Sequence, residues 1–178
     1  MSEFYSIETE RLQLRSMADS DIENVHRALS HPEVIKYYAV SYMTLEATEV
    51  QMKWFRDNKA NGTGHWWALE LKDSKDFVGG IGITSVNREH QRGEFGYWLL
   101  PEYWKKGYMK EALRAVVDFA FNQWGLHRLM AEVETENQGS SATLESLGFQ
   151  KEGVLREAEK GEKHRISLDV YAIIKDKK

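Results

Sequence analysis

Residues 93–134 read GEFGYWLLPEYWKKGYMKEALRAVVDFAFNQWGLHRLMAEVE, and the change of period along them sets the fold class. RGEFGYWLL has the aromatic and aliphatic content of a strand, and Pro101 ends its pairing because proline cannot donate to a sheet ladder. From Gly107 to about Gln123 the residues Met109, Ala112, Leu113, Val116, Val117, Ala120 and Phe121 fall on one broad helical face. Gly125 stops that helix, and GLHRLMAEVE returns to strand.

Upstream, RLQLRSM alternates as a half-buried strand. DSDIENVHRALSHPE places Ile22, Val25, His26 and Leu29 on a helical face, with Asp19 or Ser20 as cap and Pro32 just past the end. Thr44 opens a second helix with Ala47, Val50, Trp54 and Phe55 as its apolar stripe, closed by Asn61-Gly62. HWWALELK and FVGGIGITSVN then form a hairpin across a charged turn, Lys72 to Asp76. Downstream, NQGSSATLESLGF is a capped helix stopped at Gly148, and FQKEGVLREAE and HRISLDVYAII are strands on either side of a Gly161 turn. The expected α/β fold is a mixed, largely antiparallel central sheet of about seven strands flanked by four helices.

The 178 residues suit one domain. A net charge of -4 and a pI near 5.9 argue against direct nucleic-acid binding, which needs a basic face. The absence of cysteine excludes disulfides, thiolate metal sites and cysteine nucleophiles. MSEFYSIETERLQLRS lacks the basic start and apolar run of a signal peptide, and no apolar run is long enough to span a membrane. The expected compartment is the cytoplasm.

EYWKKGYMKEAL, residues 102–113, puts two lysines and a glycine at a helix start. Such a start exposes unpaired N–H groups and the positive end of the helix dipole, so it accepts an anion. Gly107 permits close backbone approach, and Lys105, Lys106 and Lys110 add charge, which suits a phosphate or pyrophosphate. The plainer reading is a set of solvated surface lysines. GGIG at residues 79–82 lacks dinucleotide-fingerprint spacing, and no Gly-Lys-Ser or Gly-Lys-Thr is present.

Taken together, GEFGYWLLPEYWKKGYMKEAL, the strand after it and ENQGSSATLESLGF resemble the GNAT superfamily of acetyl-CoA-dependent N-acetyltransferases. The likeness is greatest to the ribosomal-protein N-terminal (Rim-type) branch, through its GYW strand, W..GY..EA helix start and N..S...LE..GF segment. ETERLQLR and HPEVIKYY extend it over most of the chain, as one N-acetyltransferase domain over residues 1–178. The resemblance implies that backbone N–H groups of Lys105, Lys106, Gly107, Tyr108, Met109 and Lys110 hold the CoA pyrophosphate. It further implies that Trp98, Leu99 and Leu100 hydrogen-bond the pantetheine as an added strand does, and that Asn137 and Ser140 contact it near the thiol. Lys105 stands where this branch usually has glycine, and Met109 where it has a small residue.

Acetyl transfer from a thioester to an amine needs a neutral nucleophile, donors for the developing oxyanion and a proton for the leaving thiolate. Without cysteine, direct attack is the simplest route. An α-amine of pKa about 7.7–8.0 is about a tenth neutral at pH 7, and a lysine near 10.4 below about a thousandth. Glu94, on the strand face of Gly96 and Trp98, is the candidate general base, against the alternative of a solvated surface charge. Backbone N–H groups near Leu99, where the strand must splay before Pro101, are candidates for the oxyanion. Many relatives carry tyrosine seven residues after the motif asparagine; here that position is Leu144, and Ser140 is the substitute acid, unless it only caps its own helix.

The six histidines show no metal-ligand spacing, and no metal is expected. His31 is a candidate neighbour of an acceptor pocket, and Trp66 or Trp67 with Tyr37 or Tyr38 are candidate walls. Glu132, Glu134 and Glu136 alternate on one strand face and would favour a cationic acceptor, or simply form a solvated edge. The expected activity is acetylation of a protein N-terminal α-amine by a monomer or homodimer. The alternatives are a small amine or polyamine as acceptor, or a CoA-binding sensor with weak turnover.

Overall fold

The computed structural model describes residues 5–161 and 164–176. Residues 1–4, read above for a leader, and residues 162–163 of the Gly161 turn lie outside the described residues. The strands are Ile7–Glu8 (β1), Leu12–Ser16 (β2), His65–Leu71 (β3), Phe77–Asn87 (β4), Arg92–Leu99 (β5), Arg128–Glu134 (β6), Gln150–Lys160 (β7) and Arg165–Ile174 (β8). The α-helices are Ile22–Leu29 (α1), Pro32–Ile35 (α2), Leu45–Ala60 (α3), Tyr108–Asn122 (α4) and Gln138–Glu145 (α5). The strands pair in the order β1-β2-β3-β4-β5-β6-β8-β7, antiparallel throughout except for β5 and β6. This is the expected mixed sheet with one strand and one helix more, because β1 and α2 are too short to show a period.

α4 buries the seven apolar residues of its predicted face against one side of the sheet, meeting Leu14, Trp67, Ile81, Phe95, Leu129 and Val133. The five larger ones, Met109, Leu113, Val116, Val117 and Phe121, contribute about 1.5–3 kcal/mol of transfer free energy each, so this helix anchors that layer. On the opposite face α1 and α3 cover Trp66, Ala68, Phe77, Trp98 and Leu100. Both faces of β3 are therefore buried, which is why WWAL reads as continuous apolar sequence. Close stacking needs bare backbone: the Trp66 indole lies over Gly82, where a Cβ would come within 2.4 Å of it.

Two expectations change. Pro32 begins α2 at its first turn instead of following α1 as a stop, since a proline there loses no helical hydrogen bond. In α3 the buried residues are Thr48, Gln51, Met52, Phe55 and Asn58, whereas Val50 and Trp54 are 65% and 41% exposed. Its polar residues go inside because they are paired: Thr48 Oγ1 lies 2.9 Å from His26 Nδ1, Gln51 accepts from the Tyr42 hydroxyl at 3.0 Å, and Asn58 donates to the Trp54 carbonyl at 2.8 Å. At the start of α1, neither Asp19 nor Ser20 is the cap. Asp21 accepts from the Ala18 N–H at 2.9 Å and pairs with Arg15 at 2.8 Å.

Candidate active site

β5 and β6 pair only through Arg92–Arg128, Gly93–Leu129 and Glu94–Met130, and from Phe95 onward they part. The divergence thus begins before Leu99, and β5 stays bonded on its other side to β4 as far as Leu99. The Leu100 N–H donates to the Val78 carbonyl at 3.0 Å, so Leu100 and Trp98 direct their backbone toward β4. Tyr97 and Leu99, of opposite parity, turn theirs toward the gap. The Leu99 carbonyl accepts from Trp104 Nε1 at 2.8 Å, which leaves the Leu99 N–H and both groups of Tyr97 along the opening. Of Trp98, Leu99 and Leu100, then, Leu99 alone fits the pantetheine-binding expectation through its backbone. The Trp98 and Leu100 side chains lie in the α1/α3 core.

Past the end of β5, Pro101–Tyr103 makes a single 3-10 turn, and the chain enters α4 through two left-handed residues, Lys105 at φ +58° and Gly107 at φ +81°. Glycine adopts that conformation freely, while a lysine there costs about 1–2 kcal/mol. This is the physical content of a lysine at a position where relatives have glycine. The first helical bond runs from the Glu111 N–H to the Gly107 carbonyl at 3.0 Å, so the N–H groups of the residues before Glu111 have no intrahelical acceptor. Lys105, Lys106 and Lys110 are exposed around them. The Met109 side chain is buried in the α4 core, so its size does not crowd this opening. The left-handed entry, the open N–H groups and the three ammonium groups fit a pyrophosphate.

Arg11 braces this loop from the far end of the sheet. Its Nη1 donates to the Lys106 carbonyl at 2.9 Å, its Nε donates to Glu111 at 2.7 Å, and its guanidinium stacks 4.5 Å from the Tyr108 ring centre. The Arg11 backbone N–H and the Thr9 hydroxyl also donate to Glu111, at 2.8 and 2.5 Å. Burial alone would raise the Glu111 carboxyl, but these bonds from Thr9 and Arg11 hold it below its ordinary value. Arg11→Ala is expected to weaken acetyl-CoA binding about fivefold, the equivalent of about 1 kcal/mol of lost pre-organisation, with kcat little changed; calorimetric titration against steady-state kinetics checks it.

At the fork of the splay, Glu94 is half-buried and lies on the α1/α3 face with Gly96 and Trp66. Burial raises its pKa above the ordinary carboxylate value, the charge of Glu132 raises it further, and a hydrogen bond from Ser85 partly offsets both. Ser85 reaches it from an irregularity in β4, at φ +52°. Glu134 is likewise raised, by burial and then by Glu159 and Glu136. Glu132 thus stands beside Glu94, and Glu134, Glu136 and Glu159 continue an acidic rim, with His164 close to Glu134.

On the α4/α5 face, Asn137 caps α5 by accepting from the Ser140 N–H at 3.2 Å. The Ser140 hydroxyl does not turn back on its helix; it lies 2.6 Å from the Tyr97 hydroxyl, across the gap. Leu144 is fully buried in the core, so no polar group stands where many relatives have tyrosine. Trp67 is wholly buried and donates to the Tyr5 carbonyl, Trp66 is 3% exposed, and Tyr38 is partly buried, with its pKa raised by desolvation. Neither tryptophan forms an open wall. His31 caps α2 by accepting from the Glu33 N–H at 3.2 Å. Buried His65 is pushed down to about 3 by desolvation and then by Lys59, and stays neutral. Among the described residues no group of three acids or histidines is placed to hold a metal, and no helix is long and apolar enough to cross a membrane.

Sequence reading missed Tyr97, Arg11 and Ser85. Tyr97 had a signal, since it stands inside the GYW motif with parity opposite to Glu94; Arg11 and Ser85 act across distant strands and had none.

Residues 11–150 match the family model of the acetyltransferase (GNAT) domain. Over 173 residues the chain is 35% identical to the Bacillus subtilis protein YoaA, described as an uncharacterized N-acetyltransferase, covering 97% of this chain and 98% of that one. The solved structure of the ribosomal alpha-N-protein acetyltransferase RimL aligns with a TM-score of 0.87 at 18% identity, over 96% of this chain and 94% of that one. Spermidine N-acetyltransferase from Vibrio cholerae, solved with CoA and spermine, aligns with a TM-score of 0.83 at 21% identity, over 92% and 95%. The chain belongs to the GNAT family of acetyltransferases. Within that family it is an acetyl-CoA-dependent N-acetyltransferase.

Proposed function

We propose that this enzyme acetylates protein N-terminal α-amines by direct attack on the thioester, with Glu94 as general base. The observation that carries this reading is Glu94 itself, a carboxyl raised by burial and by Glu132 at the fork of the splay. Even when raised, a carboxylate is a far weaker base than a lysine amine near 10.4, so it matches an acceptor that is easier to deprotonate, such as an α-amine of about 7.7–8.0. The acceptor approaches from the α1/α3 face, where the glutamate rim attracts its cationic form before deprotonation. The cofactor lies along Leu99, the Lys105–Lys110 N–H groups, Asn137 and Ser140. The Leu99 N–H faces the gap and is the candidate donor to the thioester oxygen.

A second reading, a polyamine acceptor, is favoured by the rim of Glu132, Glu134 and Glu136, which would hold the distal ammonium groups. Thiol release from acetyl-CoA separates the two. A lysine-free peptide with a free α-amine is expected to show kcat/KM at least about tenfold above both an α-blocked lysine peptide and spermidine, the direction set by the fraction of neutral amine. Turnover confined to the lysine peptide or to spermidine would sink the α-amine assignment.

A further inference from the structure

We infer that Tyr97 is the positioning residue of the leaving-group site: its phenol donates to Ser140 Oγ and thereby directs the Ser140 hydroxyl proton at the departing sulfur. The inference rests on reading Ser140 as the donor at the thiol end and deepens it. Tyr97 comes from β5 and Ser140 from α5, so the 2.6 Å contact joins the two walls of the splay where the cofactor's reactive end would lie.

Either oxygen satisfies the geometry as donor, and chemistry selects the direction. A phenol is a much stronger acid than an aliphatic hydroxyl and so the better donor. Desolvation pushes Tyr97 up to about 12, only partly opposed by Ser140, so the phenol keeps its proton. With its oxygen accepting from Tyr97, Ser140 has its own hydrogen left to give. The neighbouring hydroxyls behave differently: Thr143 and Ser146 donate back to helix carbonyls at 2.8 Å and are already engaged. The N-cap of α5 is Asn137, which accepts from the Ser140 N–H, so the Ser140 hydroxyl is not the cap of its helix.

In the step this arrangement serves, the acceptor nitrogen bonds to the thioester carbon and the carbon–sulfur bond breaks. The surplus nitrogen proton leaves on the Glu94 side, and the sulfur carries the electron pair away. A thiol of pKa about 8.5 is too weak a base as its thiolate to strip a phenol held near 12. The Tyr97–Ser140 pair therefore stabilises the developing sulfur anion by hydrogen bonding, Glu94 releases its proton to the solvent, and the freed thiolate is protonated there by hydronium or a buffer acid.

Tyr97→Phe keeps the ring and removes one oxygen. It is expected to lower kcat about tenfold with acetyl-CoA KM unchanged, Ser140→Ala to lower it about thirtyfold, and the double variant to fall no further than Ser140→Ala, since donors that act as a unit are not additive. Losses that multiply in the double variant, or native kcat in Tyr97→Phe, would overturn the role of Tyr97. Native kcat in Ser140→Ala would instead remove the Ser140 reading beneath it, and with it this inference. Replacing Tyr97 with 3-fluorotyrosine, a stronger donor of nearly the same shape, guards against a packing effect. It is expected to keep native kcat or exceed it, and a loss equal to that of phenylalanine would mark a merely structural ring.

Discussion

Glu94→Gln is expected to lower kcat/KM by about a hundredfold or more, within the range of about 10²–10⁴ ascribed to a positioned general base. Acetyl-CoA affinity should stay within about twofold, because the cofactor loop and the Tyr97–Leu99 backbone are untouched. The pH profile carries the stronger test. In the native enzyme the rate should rise as pH passes the raised Glu94 pKa, and rise again toward the pKa of the acceptor amine. Glutamine removes the first rise and leaves the second. Glu132→Gln takes away the second cause of the raised value, so it should move the first rise to lower pH.

Stability moves in the opposite sense, which separates a chemical loss from unfolding. A carboxyl whose pKa is higher folded than unfolded binds more protons in the native state, so stability falls as pH rises from 4.5 through the raised value. Above that window the buried charge of Glu94 is a cost, and Glu94→Gln should melt no lower than the native enzyme at pH 8. A glutamine variant with an unchanged pH–rate profile would make Glu94 a spectator.

The parts of this enzyme that were legible in sequence are those built from local periodicity. α4 is the clearest case, since seven apolar residues at helical spacing all reach the core. α3 shows the limit: its buried stripe includes Thr48, Gln51 and Asn58, whose hydrogen-bond partners on α1, on the segment before α3 and on its own last turns no hydropathy pattern encodes. At the candidate site, motif spacing singled out the loop before α4 and Ser140, but not what fixes them. Tyr97 meets Ser140 across 43 residues and Arg11 meets Glu111 across 100, contacts that exist only once the sheet has formed. Lys105 is intermediate. A lysine in place of a glycine hinted at unusual backbone, and the left-handed φ supplies the reason.

Gly107→Val is expected to weaken acetyl-CoA binding about fiftyfold, close to 2.3 kcal/mol, with a smaller effect on kcat. Two costs add. At φ +81° a β-branched residue is strained by about 1–3 kcal/mol, and relief requires the loop to leave the conformation that turns its N–H groups outward. A Cβ there would also lie 3.3 Å from Arg11 Nη2, pressing on the guanidinium that holds the Lys106 carbonyl. The strain falls on the N-cap of α4, so the anion-binding end deteriorates while the buried face of the helix, and hence the fold, is retained. Lys105→Gly provides the contrast at the other left-handed residue. It removes backbone strain and one ammonium together, so the melting temperature should not fall, and any loss of affinity should shrink as salt screens the exposed charge. Calorimetric titration of acetyl-CoA at low and high salt reads both. Equal, salt-independent losses in the two variants would mean that the loop conformation, and not the lysine charge, carries all of the binding.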